Sequence, residues 1–136
     1  MNTREVSELM THDVRALAPS DSLLDAYDLM SEGRFRHVPI VEDDTIVGLL
    51  SERDLLRHAL VQTVALPLSA QRAYLAKVSV AEIMVRVPYT VAPDTLAGDA
   101  GQMMLEHKLG CLPVVDNQHL VGILTESDFV RAIAEV

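Results

Sequence analysis

The apolar positions change period along the chain in a fixed order, and that order occurs twice. Val14 to Ala18 is a short apolar stretch ended by the Ala18-Pro19 turn. Beyond it Leu23, Ala26, Tyr27 and Met30 recur at three- and four-residue spacing, the period of a helix with one buried face. Ser22 is placed to cap that helix, Asp25 sits in its first turn where a carboxylate suits the dipole, and Gly33 is placed to end it. Next, Val38-Pro39-Ile40-Val41 and Ile46-Val47-Gly48-Leu49-Leu50 flank the polar turn Glu42-Asp43-Asp44-Thr45, which reads as a hairpin. The proline early in its first strand suits an edge or a strand start. A second helix is expected from Ser51 onward, with Leu55, Leu56 and Ala59 on its apolar side.

The second round begins with the apolar stretch Tyr89 to Ala92. Thr95 is expected to open a helix lined by Leu96, Ala100, Met103 and Met104. The strands Leu112-Pro113-Val114-Val115 and Leu120-Val121-Gly122-Ile123-Leu124 then flank Asp116-Asn117-Gln118-His119, and a last helix from Thr125 carries Phe129, Val130 and Ile133.

The two rounds are an internal repeat. Residues 5–60 align without a gap on residues 79–134, an offset of 74, with 17 of 56 pairs identical. Val6-x-Glu8-x-Met10 returns as Val80-x-Glu82-x-Met84, Ala18-Pro19 as Ala92-Pro93, and Asp25-Ala26 as Asp99-Ala100. The densest match sets Val47-Gly48-Leu49-Leu50-Ser51-Glu52-Arg53-Asp54 against Val121-Gly122-Ile123-Leu124-Thr125-Glu126-Ser127-Asp128, with Arg57 and Arg131 in register after it. Residues 61–78 have no counterpart. Pro67 interrupts them and Ser69 to Lys77 can form a short helix, so the division is repeat one over 1–62, a partly helical connector over 63–78, and repeat two over 79–136. A unit of about 55 residues is marginal alone, so the fold expected is α+β, two β-α-β-β-α repeats packed about a pseudo-two-fold axis and sharing a core.

Composition narrows the function. Twenty acidic residues against 11 basic give a net charge of −9, which argues against a general nucleic-acid binder that must neutralise phosphates. Cys111 is the single cysteine, so no intrachain disulfide and no cysteine-based zinc site is expected. The five histidines are scattered, with no His-x-x-x-His pair on one helix face, so no metal site is expected. The N-terminus reads as no signal peptide and no apolar run approaches the ~18 residues of a membrane span, so a cytoplasmic protein is expected, consistent with one lone thiol. No glycine-rich phosphate loop or nucleophile elbow appears, and no enzymatic activity is expected.

With Val-Gly-h-h-Ser/Thr-x-x-Asp closing each hairpin (h for apolar), h-Pro-h-h in each first strand and Glu-h-Met leading each copy, the chain resembles the cystathionine-β-synthase (CBS) domain family. Two tandem copies resemble one CBS pair, or Bateman module, without a catalytic or transport domain. The resemblance covers nearly the whole chain except the connector. It implies a regulatory module that binds an adenosine-containing ligand (AMP, ADP or ATP first, S-adenosylmethionine or NAD otherwise) in clefts between the copies. Occupancy would be signalled to a protein partner, and a homodimer is expected because such modules commonly pair. The alternative is a dimeric interaction scaffold with a silent or degenerate pocket.

Ser51, Asp54, Thr125 and Asp128 are the leading candidates. [Ser/Thr]-x-x-Asp before an apolar run is a helix capping box, and capping alone would explain the spacing. The same geometry sets a hydroxyl and a carboxylate beside free backbone N–H groups, where the carboxylate can accept ribose hydroxyls and the N–H groups can face phosphate. The resemblance assigns these four residues to ribose and phosphate. Arg36 and His37, ahead of the Val38-Pro39 strand, are candidate phosphate ligands or simply a polar edge, as is Arg53 on its helix. Repeat two has Gly110, Cys111 and Ser127 in their places, so the two sites are expected to be unequal. Val14, Val38, Pro88 and Leu112 match the family positions that flank adenine, and plain core packing fits each of them as well. Cys111 reads as a buried small hydrophobe. Arg57 and Arg131 lie three residues after each aspartate, within reach as i,i+3 partners.

Overall fold

Each repeat folds as a helix, a two-stranded hairpin and a second helix in the computed structural model, which describes residues 3–33, 35–86 and 89–135. In chain order the elements are α1 (Val6–Leu9), α2 (Leu23–Gly33), β1 (His37–Glu42), β2 (Thr45–Ser51), α3 (Glu52–Thr63) and α4 (Leu68–Leu75). A 3₁₀ turn (Val80–Glu82) follows, then α5 (Ala97–His107), β3 (Cys111–Asp116), β4 (His119–Thr125) and α6 (Glu126–Ala134). Among the described residues no helix is long and apolar enough to cross a membrane.

The hairpin loops are shorter than the polar stretches suggested. Only Asp43-Asp44 and Asn117-Gln118 are outside the strands, and all four have φ between 50° and 73°. That is the two-residue type I′ geometry, whose twist matches that of the strands; Asp and Asn tolerate it well. The β3–β4 register runs from Cys111 opposite Thr125 to Asp116 opposite His119. Pro113 faces Ile123, whose own N–H and C=O turn away to Thr11, so the missing proline N–H costs the hairpin nothing.

Three expectations are corrected. The apolar stretches before α2 and α5 are not strands. Each makes one parallel bridge, Leu17 to Ile40 and Val91 to Val114, and the prolines that follow at 19 and 93 stop the ladder. Helix α5 starts at Ala97, not at Thr95; Leu96 is its N-cap, 42% exposed and without a side-chain acceptor, where repeat one has Ser22. Ser22 does cap α2, accepting from Asp25 N–H at 3.0 Å and donating its own N–H to the Asp25 carboxylate at 3.1 Å. Finally, Val130 and Ile133 lie outward, while Phe129 and Ala132 pack on the core beside buried Asp128, because α6 turns its i, i+4 stripe from 128 inward. The matching Leu56 is also outward, and Leu55 holds the core position.

The packing units do not coincide with the sequence repeats. One unit comprises 1–14, 44–46 and 88–136; the other comprises 15–43 and 47–87. In the first, Val6, Leu9 and Met10 join a core with Ala97, Leu112 and Leu124. In the second, Val80, Ile83 and Met84 pack with Leu23, Val38, Ile40, Leu50 and Leu55. The leading segment of each repeat thus completes the core of the other repeat's hairpin and helices. The Val-x-Glu-x-Met, Ala-Pro and Val-Gly motifs serve this exchange. Val6 and Val80 are fully buried. Glu8 accepts from the N–H of Glu5 at 2.6 Å, and Glu82 from that of Ser79 at 3.1 Å, closing the first turn of each segment. The Val6 N–H donates to the Thr95 carbonyl and the Val80 N–H to that of Asp21, both at 2.8 Å. The Ala-Pro prolines accept in the same way, Pro93 from Ser7 at 3.0 Å and Pro19 from Ala81 at 3.2 Å. Each segment then pairs with the far strand of the adopted hairpin, Thr11 with Ile123 and Val85 with Leu49.

The glycine of each Val-Gly pair is the seat for the incoming methionine. A Cβ on Gly122 would stand 2.5 Å from Met10 Sδ, and one on Gly48 the same distance from Met84 Sδ. The connector helix α4 belongs to the second unit. Leu75 is buried in that core, Tyr74 Oη is 3.1 Å from His58 Nε2, and Gln71 donates to the Thr63 carbonyl at 3.0 Å.

Gly48→Ala and Gly122→Ala are each expected to cost about 1–3 kcal/mol by overpacking. Urea unfolding would show a lower midpoint for both, and in a Met10→Ala background Gly122→Ala should cost less than it does alone. No change on Gly→Ala would refute the seating role.

Candidate functional site

In both repeats the hairpin runs directly into a helix, and the Ser/Thr-x-x-Asp motif is that junction. In repeat one, Ser51 is the N-cap of the twelve-residue α3, and its hydroxyl accepts the Asp54 N–H at 3.1 Å. The Glu52 N–H donates to the Arg36 carbonyl at 2.7 Å. That bond ties the residue before His37 and Val38 to the first turn of α3. Arg36, His37, Ser51, Arg53 and Asp54 therefore gather at one helix start. Asp54 is half-buried, and among the described residues nothing is hydrogen-bonded to its carboxylate. Arg36, Arg53 and Arg57 are exposed, and His37 is half-buried. A part-buried carboxylate beside the positive end of a helix dipole, with guanidinium groups at its edge, can accept from hydroxyls while the cations take an anion.

Repeat two has the same backbone and different partners. Asp128 is 3% exposed. Its Oδ2 accepts the Thr125 N–H at 2.8 Å and the Thr125 hydroxyl at 3.3 Å, and its Oδ1 accepts Arg131 Nη1 at 2.9 Å. The i,i+3 pairing suggested for both aspartates is thus present at Asp128–Arg131. Among the described residues Asp54 and Arg57 form no ion pair. Opposite Thr125, in the place of His37, stands buried Cys111. Burial, and then the Asp128 charge, push its thiol up to about 12.

The adenine-flanking candidates are distributed between the units. Val38 is fully buried in the unit that holds Ser51 and Asp54, and Leu112 is fully buried in the unit that holds Thr125 and Asp128. Val14 is half-buried in the latter unit. Pro88 lies outside the described residues. Among the described residues no group of three or more His, Cys, Asp or Glu side chains could hold a metal ion. The residue that sequence reasoning undervalued is Arg131. Its spacing was visible, but Arg57 has the same spacing, so only the fold separates them.

The CBS-domain family profile matches residues 6–61 and 80–135, and the chain belongs to that family. It is 30% identical over 123 residues to the CBS domain-containing protein YhcV of Bacillus subtilis, covering 90% of this chain and 81% of that protein. It spans less of other curated relatives, 44% of a protein from Thermofilum pendens and 64% of CBSX1 of Arabidopsis thaliana. Among solved structures, CBSX2 in complex with AMP matches with a TM-score of 0.78 at 32% identity, over 96% of each chain. The CBS domain pair of MJ0100, in complex with 5′-methylthioadenosine and S-adenosylmethionine, matches with a TM-score of 0.76 at 25% identity, over 96% of this chain and 99% of that one.

The raised thiol predicts that Cys111 is inert. At pH 8 the thiolate fraction is on the order of one in ten thousand for a group near 12. Alkylation by iodoacetamide should be at least a hundredfold slower in the folded protein than in urea, and rapid labelling of the folded chain would contradict the burial.

Proposed function

We propose that the chain is a cytoplasmic regulatory module that binds an adenosine-containing nucleotide, AMP, ADP or ATP, and passes the bound state to a protein partner. The observation that carries this is the Asp54 carboxylate, which has no hydrogen-bond partner among the described residues at the start of a twelve-residue helix edged by Arg36, His37 and Arg53. Asp54 would accept the two ribose hydroxyls. The Ser51 hydroxyl and the three basic side chains would face the phosphate. Val38, buried in the same unit, would flank the base, and Thr125 with Asp128, in the unit that buries Leu112, would be the repeat-two counterpart. The adenosine ligands carried by CBSX2 and by the MJ0100 pair support this reading. The cations favour an anionic phosphate over the cationic sulfonium of S-adenosylmethionine. A partner responds only if the ligand binds two conformations unequally.

A second reading, a dimeric scaffold with a silent pocket, is favoured by the exposed apolar side chains of α3, where Leu60 is 63% and Val61 70% exposed. The homodimer itself fits either reading, and light scattering of the purified chain tests it.

A thermal-shift panel with AMP, ADP, ATP, S-adenosylmethionine and NAD separates the two. A ligand at a hundred times its Kd stabilises by about 2.7 kcal/mol, a shift of several degrees. The expected result is a shift with a phosphorylated ligand that is lost in Asp54→Ala. No shift with any of the five would leave the scaffold reading in place.

A further inference from the structure

We infer that Arg131 locks the repeat-two helix start, so that the chain takes one adenosine ligand and takes it at Ser51 and Asp54; the inference rests on the adenosine reading of these motifs. A ribose diol needs a carboxylate with an open, reachable oxygen. Asp128 offers none. Oδ2 holds the N–H and hydroxyl of Thr125, Oδ1 holds the Arg131 guanidinium at 2.9 Å, and the side chain is 2% exposed. Arg131 itself is 60% exposed, so it is the group that stands between this carboxylate and solvent.

The surroundings agree with a closed site. Where repeat one has Arg36, His37 and Arg53, repeat two has Gly110, Cys111 and Ser127. Arg131 is the one cation among these matching positions and the following arginine, and its charge is spent on Asp128. At these positions a phosphate meets no uncommitted cation, and a ribose must displace a guanidinium. Displacement would leave a buried carboxylate without its countercharge, which is costly. Arg57 stands in the same sequence position in repeat one but forms no ion pair with Asp54 among the described residues, so that carboxylate stays open.

Isothermal titration of the full chain with AMP tests the lock. Wild type is expected to take one equivalent. Asp128→Asn should keep it with Kd within about threefold, and Asp54→Asn should weaken it at least tenfold, the order expected for losing a charged hydrogen-bond acceptor. Arg131→Ala, a good helix former at an exposed position, should admit a second and weaker equivalent. Two equivalents on wild type, no second equivalent on Arg131→Ala, or loss of binding in Asp128→Asn overturns the lock and leaves the adenosine reading standing. AMP that binds nowhere overturns the adenosine reading instead. The lock then rests on a double-mutant cycle in urea. The unfolding constant should show coupling of about fivefold or more for Asp128 with Arg131, and within about twofold for Asp54 with Arg57. Additive effects at Asp128 and Arg131 overturn it.

Discussion

The contact on which the rest depends is a methionine seated on a glycine. Met10 lies against Gly122 and Met84 against Gly48, each where a β-carbon would stand. The seat lets the leading segment of one repeat lie flat on the far strand of the other repeat's hairpin. Its N–H and C=O groups then satisfy an edge that would otherwise be bare, as Thr11 does for Ile123 and Val85 for Leu49. Neither repeat packs its leading segment on its own hairpin. Each unit's core, with Val6 in one and Val80 in the other, is complete only when the chain contributes both its halves. Duplication in this protein is therefore built into how each core is completed.

The exchange also anchors the strand that leads into each candidate helix start, at Leu49 and Ile123, two residues before Ser51 and Thr125. With the far strand anchored by the incoming segment, β2 and β4 run straight into α3 and α6, and the first turn of each helix carries a hydroxyl and a carboxylate at fixed positions. Identical scaffolding then holds two different electrostatic states. At Asp54 the carboxylate is half-buried and uncommitted among the described residues, with arginines exposed nearby. At Asp128 it is buried and bound on both oxygens, and the adjoining Cys111 thiol is pushed up by that same burial and charge. One member of a duplicated pair can keep the role of ligand site while the other becomes a structural ion pair, with no change of backbone.

Much of this was legible in the residues. The offset of 74 exposed the duplication, the period changes placed both hairpins and the helices α2, α3, α5 and α6, and Ser/Thr-x-x-Asp marked the starts of α3 and α6. Those features are local, set by side-chain period, turn chemistry and capping. Glu-h-Met, Ala-Pro and Val-Gly were visible as repeated motifs too, but their purpose was not, because the partners of each lie far along the chain, as Met84 does from Gly48 and Met10 from Gly122. Leu96, Val130 and Ile133 were misplaced for a related reason. Their apolar character fits a core, but which arc of a helix turns inward is decided by what packs on it.

The sequence by itself determined a duplicated α+β chain of the CBS family, with a hydroxyl–carboxylate pair at the start of a helix in each copy. Local periodicity and motif spacing carry that information completely. Only the tertiary structure decided which segment completes which core and which aspartate is spent. Arg57 and Arg131 are indistinguishable by spacing, and it is the burial of Asp128, set by α6 and its hairpin, that turns one arginine into a partner and leaves the other in solvent.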